Sequence, residues 1–524
     1  MVSEEAGTVT GGRMLEAGTV WELLELRVEA TPDALVLVDD RGGRLTFREL
    51  REEALSVAGW LHELGVRPGC TVSWQLPNWL DAMTLVIALS RLDAVQNPII
   101  PIAREREVGY MVKQLRSDFL ITPHVWRGFD YAAMGEQIKK SSHEGVRLVA
   151  VDRDLPRGSA DHLPPARRAE QVPDTRWVIY TSGTTADPKG ARHTDASVLM
   201  SARCIAERMH TGPDDRGALA FPFAHIGGVQ LFFGNLMCGS ASILAERFDD
   251  HAIDVLSREG VTQAGSNTAF HQAYLKAQAA RPDTSLFPRV RSFMGGGATR
   301  PHYLYDQLRE AFGDVALLSG YGSTETGSLT LADPHDPGWA QAKTEGRPYD
   351  VTELRIVKES GTLAGPGEEG EVLARGPQMM LGYVDPALDA AAFDADGFFR
   401  TGDIGMLDDD GFLHITGRIK DIIIRKGENV SAREIEELLA LHPAVAEVAV
   451  VGLPDAERGE LVCAAVVGEP GSPAVDVAEA RRFLLERGLP LQKVPERVEG
   501  VADLPKNMMG KVVKPALRER LLAM

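Results

Sequence analysis

An α/β protein in two domains is what this sequence predicts: a large N-terminal domain of largely parallel α/β sheets with a β-rich subdomain, then a small α+β domain. Three observations lead there. Short apolar runs alternate with helical stretches through the middle of the chain, the rhythm of strands and crossover helices in a parallel sheet. After about residue 350 the strands are joined by Gly and Asp-Gly turns instead. From Arg418 onward a separate pattern of strands and helices begins, of roughly a hundred residues, a reasonable domain size. The expected domains are residues 1–418 and 419–524.

The elements follow in order. Thr46-Phe47-Arg48-Glu49 reads as a capping box, and Leu50, Ala54, Leu55, Ala58 and Leu61 continue with helical spacing. Candidate strands are Trp177–Tyr180, Ala218–Phe221, Ser242–Ala245, Val261–Ala264, Val290–Met294 and Ala316–Ser319. In such folds ligands gather at the carboxyl ends of strands, here the loops Thr181–Gly190, Ala224–Gly228, Gly295–Arg300 and Gly320–Gly327. Glu371–Ala374, Ile404–Leu407 and Phe412–Ile415 are the strands of the β-rich part. In the last unit Ser431-Ala432-Arg433-Glu434 is a second capping box. It opens a helix with Ile435, Leu438 and Leu439 on one face. Strands Ala446–Val451 and Leu461–Val467, helix Val477–Glu486 and strand Arg497–Val501 complete it.

Bulk properties narrow the function. The 524 residues, 44% hydrophobic and 25% charged, suit a globular protein. A formal net charge of −19 repels nucleic-acid phosphates and anionic lipid, so no nucleic-acid partner is expected. Cys70, Cys204, Cys238 and Cys463 form no paired motif, which fits a reducing compartment. Met1–Leu15 lacks an apolar signal core, the apolar runs are short, and Leu521–Met524 carries no peroxisomal address. A cytoplasmic protein without a membrane span is the expectation. The oligomeric state is left open, a homodimer included.

The most informative stretch is Tyr180-Thr181-Ser182-Gly183-Thr184-Thr185-Ala186-Asp187-Pro188-Lys189-Gly190. Glycines let backbone N–H groups approach phosphate oxygens, hydroxyls donate, and lysine neutralises charge. Pro188 before Lys189 excludes a Walker loop. By itself such a turn is as often a plain loop.

This stretch resembles the signature loop of the adenylate-forming superfamily: acyl-CoA synthetases, adenylation domains and luciferases. The resemblance continues in order through Phe223-Ala224-His225-Ile226-Gly227-Gly228, Gly295-Gly296-Gly297-Ala298 and Tyr321-Gly322-Ser323-Thr324-Glu325. Thr401-Gly402-Asp403, Gly417-Arg418-Ile419-Lys420-Asp421, Lys426-Gly427-Glu428-Asn429 and Pro505-Lys506-Asn507-Met508-Met509-Gly510-Lys511 follow. It implies an ATP- and Mg²⁺-dependent ligase for a small carboxylic acid, with coenzyme A as co-substrate. It also implies a mobile small domain. Thr181, Ser182, Gly183, Thr184, Thr185 and Lys189 would cradle the departing phosphates. Thr324 would bond the α-phosphate, and Glu325 would hold Mg²⁺, a cation that takes oxygen ligands. Tyr321 would stack on adenine, with Gly296, Gly297 and Ala298 lining it. Asp403 would accept the ribose hydroxyls and Arg418 reach ribose and phosphate. His225 would gate the acyl pocket, Gly427 face the pantetheine path, Lys420 act as hinge, and Lys511 bridge carboxylate and α-phosphate. Singly, each has an ordinary reading: Glu325 a solvated acid, Asp403 a turn residue, Tyr321 filler, Arg418 and Lys511 surface cations, His225 a packed histidine. Their joint order raises them above that.

The sequence departs from the pattern at Ala186, where the family usually has Gly. Positive φ there would cost roughly 1–2 kcal/mol. Ala432 replaces a frequent Pro, and Met508 and Met509 replace smaller polar residues. Two rivals to a CoA ligase are a stand-alone enzyme loading a carrier protein and a catalytically silent nucleotide-binding relative. The second conflicts with the presence of Thr324, Glu325, Asp403, Arg418 and Lys511. Phe221–Gly228 has no acid to pair an α-ammonium, which opposes amino-acid activation, and Ile226 after His225 departs from the aryl-acid pattern. Ala224, His225, Gly228, Val229, Met294, Gly295 and Ser319 are the expected acyl-pocket residues. Most are small or apolar, suiting an aliphatic or alicyclic acid.

Overall fold

A computed structural model describes residues 14–143, 145–171, 174–181, 187–296, 301–506 and 511–524. Two sheets organise the large domain. In the first, strands Ala316–Ser323, Ser292–Gly296, Gln263–Ser266, Arg216–Leu219, Ala241–Leu244 and Leu35–Val38 lie side by side, all parallel. Antiparallel strands Gly327–Leu331 and Arg44–Thr46 flank them. In the second, Thr71–Trp74, Val95–Pro98, Phe119–Pro123, Arg147–Val151 and Trp177–Thr181 are parallel, and Lys189–His193 returns antiparallel at one side. The four parallel strands from Thr71 to Val151 precede the first strand predicted from sequence. Their short runs carry polar residues such as Ser73, Gln96 and Asn97, buried and hydrogen-bonded, which blurs the apolar signal.

Helices Asp195–Arg208 and Ile226–Cys238 pack on each other, and one hydrophobic core runs from both sheets through them. Ile226–Cys238 is buried almost all round, as its continuous apolar sequence requires. The Thr46–Glu49 capping box forms as predicted, heading helix Phe47–Glu63. A four-stranded antiparallel sheet follows: Glu353–Val357, Gly370–Arg375, Phe399–Leu407 and Leu413–Arg418.

The small domain is built on a sheet of Glu428–Ser431, Ile422–Arg425, Gly459–Gly468 and Val445–Asp455, with Arg497–Gly500 parallel to Gly459–Gly468. Ser431 caps helix Ala432–Leu439 by accepting from Glu434 N, and Ala432 serves in the first helical position without Pro. Among the described residues no helix is long and apolar enough to cross a membrane.

Candidate active site

Strand Ala316–Ser323 ends in a tight turn at Thr324–Thr326 and returns as Gly327–Leu331. The expected loop Gly320–Gly327 is therefore mostly strand. Gly322 is obligatory, because a Cβ there would stand 2.1 Å from Gly327 O. Ser323 N donates to Thr326 Oγ1 at 2.9 Å, fixing the turn. The hairpin thus holds Tyr321, Thr324 and Glu325 at the carboxyl end of the sheet, beside Gly296, which pairs with Gly320.

Asp403 and Arg418 face each other across two antiparallel strands. Arg418 Nε lies 2.6 Å from Asp403 Oδ1, and Tyr321 O–H donates to Asp403 Oδ2 at 2.7 Å. Asp403 is buried. Burial, then the adjacent Asp403 carboxylate, push the Tyr321 hydroxyl well above its ordinary pKa, so it stays a donor. A carboxylate offers about four lone-pair sites, so two such contacts leave capacity for diol hydroxyls.

Glu325 Oε1 accepts from Tyr383 O–H at 3.0 Å, and Lys189 Nζ lies 5.5 Å from the Tyr383 ring centre. Tyr383 was not predicted from the sequence; its Leu-Gly-Tyr context carries no signal. His193 was missed as well. It is fully buried, and its Nε2–H donates to the Thr324 carbonyl at 2.8 Å. Burial holds its pKa down at about 4. Alternation along Lys189–His193 puts His193 on the same face as buried Ala191, the one cue the sequence offered.

Lys511 comes in from the other end of the chain. It is exposed by surface area, yet set deep enough among other groups that desolvation is the chief cause lowering its pKa. Arg418 and Lys420 lower it further, while Asp403 and Glu325 raise it. Lys420 is lowered in turn by desolvation first, then by Arg418 and Lys189. His225 caps helix Ile226–Cys238 through Nδ1, which accepts from Gly227 N at 3.1 Å. Its pKa is pushed down to about 4, by burial and then by the charge of Lys511. Surface area leaves the ring half-buried; the packed surroundings of its nitrogens decide its charge, and it is neutral at neutral pH.

Lys189, Arg418, Lys420 and Lys511 thus share surroundings with Glu325, Asp403 and Asp421 in a protein of net charge −19. Such a cluster of cations suits a polyphosphate.

The loop after Thr181 differs from expectation in one respect. Lys189 and Gly190 already belong to the returning strand, with Lys189 opposite Thr181. Strands Trp177–Thr181 and Lys189–His193 are an antiparallel pair, and the helix that follows begins only after His193. Ser182, Gly183, Thr184, Thr185, Ala186, Gly297, Ala298, Met508 and Met509 lie outside the described residues. Gly427 (φ +82°) sits with Lys426 in a two-residue hairpin turn of the small domain, where Lys426 N donates to Arg458 O at 2.8 Å.

Residues 24–384 match the family model described as AMP-binding enzyme, and residues 434–511 match AMP-binding enzyme C-terminal domain. The chain belongs to the AMP-binding enzyme family. One family member, the medium-chain fatty-acid–CoA ligase of Escherichia coli (strain K12), is 29% identical over 94% of this chain and 88% of its own length. Another, the salicyl-AMP ligase / salicyl-S-ArCP synthetase of Mycobacterium tuberculosis (strain ATCC 25618 / H37Rv), is 32% identical over the same shares. Among solved family structures, ATP-bound MatB from Rhodopseudomonas palustris superposes with a TM-score of 0.85 at 27% identity, over 96% of this chain and 99% of that one.

Proposed function

We propose that this AMP-binding enzyme is a carboxylate–CoA ligase working in two half-reactions, with residues 1–418 as the adenylating domain and 419–524 as a domain that turns about Lys420. The observation that supports the reading is that Lys511 lies within electrostatic reach of Asp403, Arg418 and Glu325.

In the first half-reaction a substrate carboxylate oxygen bonds to the α-phosphorus of ATP, and the bond to the bridging oxygen breaks, releasing pyrophosphate. Negative charge moves from carboxylate to phosphate, so a cation touching both stabilises the transition state more than either ground state. Lys511 is that cation. Thr324 bonds the α-phosphate; Thr181, Ser182, Gly183, Thr184, Thr185 and Lys189 hold the leaving phosphates. Asp403 and Arg418 hold the ribose, and Tyr321, Gly296, Gly297 and Ala298 the adenine. Glu325 fits Mg²⁺, since a carboxylate is a hard oxygen donor and the Tyr383 hydroxyl fixes its rotamer. Mg²⁺ supplies charge neutralisation to the phosphates when bound. Neutral His225 stands at the entrance to the acyl pocket as a gate.

In the second half-reaction the coenzyme A sulfur bonds to the acyl carbon, the thiol proton is lost, and AMP leaves. The pantetheine path would pass the Gly427 loop once the domain has turned. Buried Ala224 and Val229, with Gly228 and Met294, favour an apolar aliphatic or alicyclic acid, in keeping with the medium-chain relative. One observation favours a second reading, loading of a carrier protein: the relative that bears the name salicyl-S-ArCP synthetase. A pyrophosphate-release screen over short, medium, alicyclic, aromatic and amino acids tests both, run with and without coenzyme A. Release of AMP and pyrophosphate that turns over only with coenzyme A is expected. Transfer to a carrier protein but not to coenzyme A overturns the ligase reading.

A further inference from the structure

Arg433 lies at the start of helix Ala432–Leu439 in the small domain. Its Nη2 is 3.3 Å from Oε1 of Glu345 in the large domain, and its Nε donates to Glu437 Oε1 at 2.7 Å, one turn along the same helix. Glu345 is tightly held. Its N–H donates to Leu413 O at 2.8 Å, and its carbonyl accepts from the Thr330 hydroxyl. Its Oε2 accepts from Ser319 Oγ at 2.9 Å. Ser319 is buried in the strand that continues into Tyr321. One carboxylate therefore connects a small-domain arginine to the strand that carries the nucleotide-site residues. The two side chains keep only 21% and 18% exposure, so solvent screens the pair less than a surface bridge.

Arg433 and Lys511 belong to one packed body. Ile435 and Leu439 of the Arg433 helix pack with Val450 on one face of strand Val445–Asp455. Leu517 and Leu521, from the helix just after Lys511, pack with Ala449 and Val451 on its other face. Any turn about Lys420 that withdraws Lys511 must also part Arg433 from Glu345.

We infer that the Arg433–Glu345 ion pair is a latch that holds the small domain in the orientation presenting Lys511 and opens for the thioester step. Arg433 and Glu345 are positioning residues that act through Lys511. The inference rests on the two-half-reaction reading above.

The test uses the full chain and the best acid from the pyrophosphate screen. Arg433→Gln, Arg433→Lys, Glu345→Gln and the double Gln variant are compared in single-turnover adenylation. Each is also assayed for thioester formation from pre-formed acyl-adenylate. A charge-assisted contact of this kind is expected to lower adenylation about tenfold when lost. The thioester step should stay within about twofold or rise, and KM for ATP should change little. Arg433→Lys should recover part of the loss, and the double variant should be no worse than the singles. Separately from activity, trypsin cleavage around Lys420 should speed up several-fold in the Gln variants. Parallel loss of both half-reactions, additive singles, or unchanged adenylation and cleavage overturns the latch. Wild type that shows no adenylation while the cleavage contrast holds removes the ligase reading and leaves only the ion pair's hold on the small domain.

Discussion

Glu325 and His193 show how single side chains in this site depend on particular neighbours. Glu325 is steadied by Tyr383, 58 residues away in sequence. Glu325→Gln keeps size but loses the charge that would hold Mg²⁺. Adenylation should fall by about 10²–10³-fold with the fold intact by circular dichroism. Tyr383→Phe should do less: a few-fold higher Mg²⁺ requirement with kcat recovered at saturating metal. A Glu325→Gln enzyme as active as wild type at ordinary magnesium would take Glu325 out of the metal site. His193 sets a pH limit. Its pKa falls from the ordinary 6.5 to about 4 on burial, so the unfolded chain binds the proton more tightly. The stability it contributes is fully present above about pH 6.5 and is lost as pH falls towards 4, a change of order 3 kcal/mol. His193→Gln should flatten the drop in thermal midpoint between pH 6.5 and 4. An unchanged profile would show that other groups govern it.

The element that matters most is the hairpin Ala316–Leu331. Its strands supply Ser319 and Tyr321, its turn Thr324 and Glu325, and its register shifts between Tyr321 and Gly322. That irregularity brings the returning strand so close that Gly322 admits no Cβ. Gly322→Ala should force the turn apart, costing about 1–3 kcal/mol of stability. It should also lower adenylation more than a stability loss of that size explains, because Thr324 and Glu325 both ride on the turn. Urea unfolding paired with a single-turnover assay separates the two effects. An alanine variant with wild-type adenylation would mean the turn tolerates the displacement.

At the scale of the whole molecule, the proposed reaction depends on where the small domain stands. Lys511 shares its electrostatic surroundings with Asp403, Glu325 and Arg418, the arrangement the proposed adenylation needs. Lys511→Ala should abolish acyl-adenylate formation and leave much of the thioester step when acyl-adenylate is supplied. Lys420 lies in a single 3₁₀ turn, Ile419–Asp421, between Leu413–Arg418 and Ile422–Arg425. Lys420→Pro fixes φ there and restricts Ile419. It should spare adenylation and depress thioester formation. Half-reaction assays decide; equal loss of both steps in both variants would leave a static site and no domain rotation.

The sequence by itself determined the fold class, the strands it named from Trp177 onward and the order of the site motifs. It did so because those signals are local. Helix Val477–Glu486 follows from its spacing and strand Trp177–Thr181 from its apolar run. The Thr46–Glu49 cap needs residues only three apart. Only the tertiary structure decided what each site residue leans on. Tyr383 meets Glu325 across 58 positions, Arg433 meets Glu345 across 88, and His193 meets the Thr324 carbonyl across 131. It also decided that Lys189–His193 is a strand, paired with strands on both sides. Such contacts are set by how sheets and domains pack, and packing leaves no periodic trace in the residues that happen to meet.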